Sequence, residues 1–258
     1  MLSAIDSFLS LFFLNCFSYT SLMQNMTKIA TTEAIELENA RFMSRVYRWM
    51  TGGILLTALV SSHIASQPSL LKLILQTPLY WVLIILQIGS VFFLSLAIKK
   101  INALTAILTY LAYASLTGVT LSVIFLIYTK QSISNVFLTT ACGFAGLSAF
   151  GYFSKKDLGP IGSFCTMGLF GLIGFGLLSF FIPSFSSERA QHVYSIMGLI
   201  IFSGLTAYDT QKIKQLNIIG NEGTEEDTKE AIFGALTLYL DFINLFLNLL
   251  RIQGRRRD

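Results

Sequence analysis

The sequence predicts an all-α polytopic membrane protein with seven transmembrane helices. Three observations carry that expectation. Hydrophobic residues fill 53% of the 258 positions and charged ones only 12%, against roughly 25% charged in soluble domains, and mean hydropathy is +0.66. Seven apolar windows follow one another after Trp49 with no room left for a soluble domain, each near the roughly 20 residues that a bilayer core requires. Finally, the last two windows each bury one acid, Asp209 and Asp241, among apolar neighbours.

The windows lie at Trp49 to Ser66, Tyr80 to Ile98, Leu104 to Tyr128, Val136 to Phe153, Ile161 to Ile182, Val193 to Gln211 and Ala231 to Ile252. Helix breakers separate them. Pro68 and Pro78 bracket a first loop, Lys99-Lys100 closes the second window, Lys155-Lys156-Asp157-Leu158-Gly159-Pro160 divides the fourth from the fifth, and Pro183 ends the fifth. Residues 41–252 form the membrane domain on this reading, residues 1–40 an N-terminal extension and residues 253–258 a basic tail. Within the extension, Phe8 to Leu14 is too short to span and lacks a basic segment before it, so it makes a poor signal peptide. Met23 and Met26 offer later starts. The segment from Thr32 through Glu36, Glu38, Arg41, Arg45 and Arg48 reads as a short amphipathic helix leading into the first span.

Basic residues set the orientation. With a cytoplasmic N-terminus the inner segments hold Lys28, Arg41, Arg45, Arg48, Lys99, Lys100, Lys155, Lys156, Lys212, Lys214 and Lys229, whereas the outer loops hold Lys72, Lys130 and Arg189. The tail disagrees, because seven full crossings put Arg251, Arg255, Arg256 and Arg257 outside. Either the last helix enters and returns, or the other spans fix the topology and the tail follows. The net charge of +4 is therefore topological, and nucleic acid is not an expected partner. Cys16, Cys142 and Cys165 have no CxxC spacing, so neither a zinc site nor a disulfide framework is suggested. Gly143, Gly146, Gly168, Gly171, Gly174 and Gly176 recur about once per turn and suit close helix contact. Ser95, Thr105, Thr109, Ser115, Thr117 and Thr120 could line a polar path or join helices.

The two acids draw the functional reading. A carboxylate at hydrocarbon depth costs several kcal/mol unless it is protonated, paired or facing water. On neighbouring antiparallel helices Asp209 and Asp241 can approach, and two such groups cannot both ionise cheaply, so the pair holds a proton near neutrality. Losing it leaves two charges that a helix movement, a basic partner or a cation must answer. Lys99 or Lys100, at the end of the second window, could be that partner. Oxygen-only ligands favour a hard cation such as calcium. Two carboxylates are too few to store it, so Asp209 and Asp241 read as transient calcium ligands along a permeation path, with no bound cofactor.

Two blocks carry a family resemblance: Phe202-Ser203-Gly204-Leu205-Thr206-Ala207-Tyr208-Asp209-Thr210-Gln211-Lys212-Ile213 and Leu236-Thr237-Leu238-Tyr239-Leu240-Asp241-Phe242-Ile243-Asn244-Leu245-Phe246. They closely resemble the signatures of the Bax-inhibitor (TMBIM) family, particularly its bacterial members, and the likeness runs from about Arg41 to Ile252. The resemblance implies six helices wrapped around a hairpin-like C-terminal one, a bacterial inner-membrane location, and a pH-dependent calcium leak gated by a di-aspartyl sensor matched by Asp209 and Asp241. In the family an arginine ending the second helix latches the acids; its place here is Lys100, which lacks the bidentate fork.

Two other classes compete. A non-transporting regulator would bind other membrane proteins or a membrane protease through its bundle surface. An intramembrane aspartyl protease would use the same two acids around water, but Leu238-Tyr239-Leu240-Asp241 stands where such enzymes carry GxGD, so an enzyme is not expected. A proton-coupled transporter lacks the internal repeat it would need.

Overall fold

The computed structural model describes the backbone of residues 2–256 and the side chains of residues 32–256. The apolar run at Phe8 to Leu14 and Cys16 therefore lie outside the residues whose side chains are described. Two compact units divide the chain. The first, Met1–Arg41, is helical, and most of its described side chains are exposed. The second, Phe42–Asp258, is the helical bundle.

Among the described residues nine α-helices follow in order: α1 (Leu2–Ala65), α2 (Pro68–Gln76), α3 (Leu79–Ala97), α4 (Ala103–Leu121), α5 (Ile124–Ile127), α6 (Lys130–Phe153), α7 (Gly159–Phe181), α8 (Glu188–Leu216) and α9 (Glu225–Gln253). Among the described residues six stretches are long and apolar enough to cross a membrane, and a seventh arises if α1 from Thr32 and α2, bent through 98°, count as one broken span. The chain is an all-α polytopic membrane protein, and the expected fold class holds. Local chemistry sets the starts. Asn102, Thr129, Ser187 and Thr224 each cap a helix by accepting from a backbone N–H three residues on, which satisfies a donor that the first turn leaves unpaired. Pro68 opens α2 where a loop is expected, because proline is compatible with a first helical turn.

The last helix forms the core. In α9 61% of the most apolar window is buried, compared with 11–39% in the other spans. It packs on α4, α6 and α8, while α7 lies on α8 and α3 on α4. Tyr239 is fully buried between the rings of Tyr110 and Tyr113, with centroids 6.1 and 5.7 Å away. Phe242 meets Phe137 and Phe144 edge-on at 5.5 and 5.6 Å. Such contacts replace the hydrophobic driving force that lipid does not supply between helices. Buried hydroxyls add cross-links. Thr57 Oγ1 donates to the Ala114 carbonyl (2.9 Å) and meets Tyr239 Oη at 2.6 Å, and Ser148 joins Tyr47 of α1 to Thr210 of α8.

Three sequence expectations change. The last helix does not turn back: α9 is continuous from Glu225 to Gln253, so its end lies beside the Tyr128–Ser132 stretch, where Thr129 N–H donates to the Arg255 carbonyl. The hydroxyls of Thr109, Ser115, Thr117 and Thr120 donate to carbonyls of their own helix one turn back, and of the two readings the helix-joining one holds at Thr120, which accepts from Gln87 Nε2 of α3 at 2.9 Å. Of the glycines expected at close helix contacts only Gly168 makes one, where an added Cβ would stand 2.8 Å from Ile201 Cδ1 of α8, and the other close approaches fall on different glycines. A Cβ at Gly118 would stand 2.8 Å from both the Thr57 carbonyl oxygen and Val60 Cβ, and one at Gly198 would stand 2.6 Å from Asn248 Oδ1. Positions 143, 146, 171, 174 and 176 have nothing within 4 Å.

Candidate functional site

The expected acids meet. Asp209 sits on α8 and Asp241 on α9, and their carboxyls are hydrogen-bond partners. A bond between two carboxyls needs a proton on one of them. Asp241 is 4% exposed and its Oδ2 has no partner among the described residues, while Asp209 is half-buried. A buried acceptor left without a donor is costly.

Both acids open onto one cleft of about 480 Å³ between α7, α8 and α9. Its polar wall on α9 is a single stripe, Thr237, Asp241, Asn244, Asn248 and Arg251, whose spacing of four, three, four and three residues keeps every member on one helical face. Thr166 of α7 faces them. Asn244 Nδ2 donates to the Leu240 carbonyl and Asn248 Nδ2 to that of Asn244, each at 2.8 Å. Their amide oxygens remain acceptors along the cleft. The signal for the other members in the sequence is the repeating polar spacing around Asp241.

The basic group beside Asp209 is Lys212, one turn on, whose ammonium lies 5.5 Å from the Tyr208 ring centroid. Arg251 sits at 5.7 Å over the Tyr194 ring along the same cleft. The two lysines expected near the acids lie elsewhere: Lys99 acts electrostatically on Glu230, and Lys100 is exposed after the end of α3.

Two polar fixtures hold the helices that carry the acids. Two residues past Asp209, buried Gln211 takes the Leu158 N–H (2.9 Å) and donates to the carbonyls of Lys156 (2.9 Å) and Ser154 (3.3 Å), which pins the α6–α7 turn. At the start of α9, Arg45 bonds Asp227 at 2.8 Å and Glu222 at 3.0 Å.

Fold and cleft define a multi-pass helical membrane protein with a paired-acid site between its last three helices. The family model described as inhibitor of apoptosis-promoting Bax1 (Bax1-I) matches residues 39–258, and the chain belongs to that family. It is 43% identical over 218 residues to the inner membrane protein YbhL of Escherichia coli K12, covering 84% of this chain and 92% of that one. It is 39% identical over 219 residues to RP147 of Rickettsia prowazekii (84% and 91%), and 38% over 234 residues to YrjE of Lactococcus lactis (83% and 90%). None of these three is named for an enzymatic activity.

Proposed function

We propose that the protein is a proton-controlled cation leak in which Asp209 and Asp241 form the pH sensor and briefly ligate the passing ion, calcium being the class that fits best. The shared cleft, with two acids in mutual contact and one buried carboxyl oxygen lacking a partner, is the observation that supports this reading. When the shared proton leaves, two negative charges stand in a medium of low dielectric. A cation entering the cleft, a basic side chain or a helix movement must balance them. Hydroxyl and amide oxygens of Thr166, Thr237, Asn244 and Asn248 supply hard ligands of the kind calcium takes. Two carboxylates alone are too few ligands for storage, and that suits transit.

Lys212, beside Asp209, is the nearest basic answer to the deprotonated pair. A latch through Lys99 would first have to leave Glu230, and one through Lys100 would have to come from the exposed end of α3. The distribution of basic residues supports a cytoplasmic N-terminus and a cytoplasmic Lys212 end of the cleft, and the inner-membrane relative YbhL supports a bacterial inner membrane.

Proteoliposomes loaded with a calcium indicator test the proposal. Wild-type protein is expected to pass calcium at a rate that changes with pH around neutrality, and Asp209→Asn or Asp241→Asn to abolish that change. Flux no higher than in empty liposomes at every pH would reject the leak. A regulator of other membrane proteins would instead keep its function with both acids replaced by Asn.

A further inference from the structure

The tail builds a second polar cavity that shares no residue with the paired-acid cleft. After α9 ends at Gln253 the chain folds back on the start of α6. Thr129 N–H donates to the Arg255 carbonyl at 3.2 Å, Arg255 N–H donates to Ser132 Oγ at 2.8 Å, and Tyr128 pairs with Arg256 as an isolated antiparallel bridge. The tail's backbone is thus fixed, yet both arginine side chains stay exposed. They line a cavity of about 810 Å³ together with Gln131, Ser132, Asn135 and Thr139 of α6. Among the described residues neither guanidinium has an ion pair.

The cavity's level identifies its ligand. It lies where the spans Ala103–Ile127 and Lys130–Phe153 meet and where Glu225–Gln253 ends, which is the boundary between hydrocarbon and water. Leu126, Ile127 and Leu138 beside it are exposed apolar side chains. The row Asn135 and Thr139 continues at helical spacing through Cys142 and Gly146, with Gly143 alongside; all three are exposed, and nothing lies within 4 Å of a Cβ at either glycine. A polar, doubly basic cavity therefore opens into a shallow furrow along the span.

We propose that this cavity binds the headgroup of an anionic phospholipid. Its phosphodiester lies between Arg255 and Arg256, whose planar forks match phosphate oxygens. The headgroup hydroxyls meet Asn135 and Thr139, and an acyl chain runs over Gly143 and Gly146. A soluble phosphate would satisfy the guanidinia but leave the furrow unused.

The test uses full-length protein in phosphatidylcholine nanodiscs, with spin-labelled phosphatidylglycerol and spin-labelled phosphatidylcholine as probes. Wild-type protein should prefer the anionic probe, and the preference should fall about fivefold for each guanidinium removed in Arg255→Gln and in Arg255→Gln/Arg256→Gln, as expected for basic groups at an anionic surface. Thr139→Leu, which keeps both arginines but fills the cavity, should also weaken it. Unchanged thermal melting of the variants would separate this loss from misfolding. Equal retention of both probes by wild type, or a preference that survives in the double variant, would overturn the proposal. So would displacement of the anionic probe by inorganic phosphate at matched ionic strength, which would make the ligand a free anion. A dimer that Gly143→Leu converts to monomer, with lipid preference unchanged, would assign the furrow to a second copy of the chain.

Discussion

Replacing Gly118 by alanine tests the packing that holds α1 against α4. The new Cβ would stand 2.8 Å from the Thr57 carbonyl oxygen and 2.8 Å from Val60 Cβ. Neither is the free end of a flexible side chain, so the helices must separate by about 0.6 Å to restore ordinary contact near 3.4 Å. The same movement stretches the Thr57 Oγ1 bond to the Ala114 carbonyl from 2.9 Å to about 3.5 Å, where it ceases to be a hydrogen bond. Overpacking costs about 1–3 kcal/mol and the lost bond about 1 kcal/mol, offset by about 1 kcal/mol of helix propensity gained on replacing glycine. The net expectation is destabilisation by about 1–3 kcal/mol, a fall of roughly 2–12 °C for a domain of this size. Melting followed by circular dichroism in detergent measures it. Gly143→Ala is the internal control: with nothing within 4 Å, it should gain up to about 1 kcal/mol. The reasoning fails if Gly118→Ala melts at or above wild type, or if the two variants fall equally.

Three further outcomes are expected. Asp227→Asn removes the buried anion that Arg45 holds, and because Glu222 remains the loss should sit near the low end of the 3–5 kcal/mol for breaking a buried pair, about 3 kcal/mol; a change under about 0.5 kcal/mol in the same melting assay would contradict it. Gln211→Leu strips the α6–α7 turn of its three side-chain bonds, at about 1–3 kcal/mol for the buried groups left unpaired, and trypsin should cut after Lys155 or Lys156 faster than in wild type. Asn248→Ala should relieve Gly198→Ala, since the amide of Asn248 is what the added methyl meets; a double variant no more stable than the sum of the single losses would show that the obstruction lies elsewhere.

Much of the fold was readable because each span is bounded by residues with one structural meaning. Pro160 and Pro183 mark helix ends through their missing donors, whatever the tertiary context. The acid pair was readable for a similar reason, since charge at hydrocarbon depth has few uses. Pairwise geometry was less legible. A glycine's spacing says that helices can approach but not which ones do, so Gly143 and Gly146 read as contacts while Gly118 and Gly198 supply them. Lys99 and Lys100 read as partners of the acids from their place at a helix end, yet Glu230 and solvent compete for them. The stripe from Thr237 to Arg251 was present in the sequence, but single polar residues among leucines and phenylalanines read as scattered until one helical face gathers them.

The position of α9 also orders biosynthesis. The helix with the largest buried share leaves the ribosome after the spans it packs on, so Tyr110, Tyr113, Phe137 and Phe144 enter the bilayer before the side chains they stack on exist. Until then the earlier spans surround a vacant middle that lipid or a chaperone has to occupy. Losing even the final few turns would strand that half-built ring.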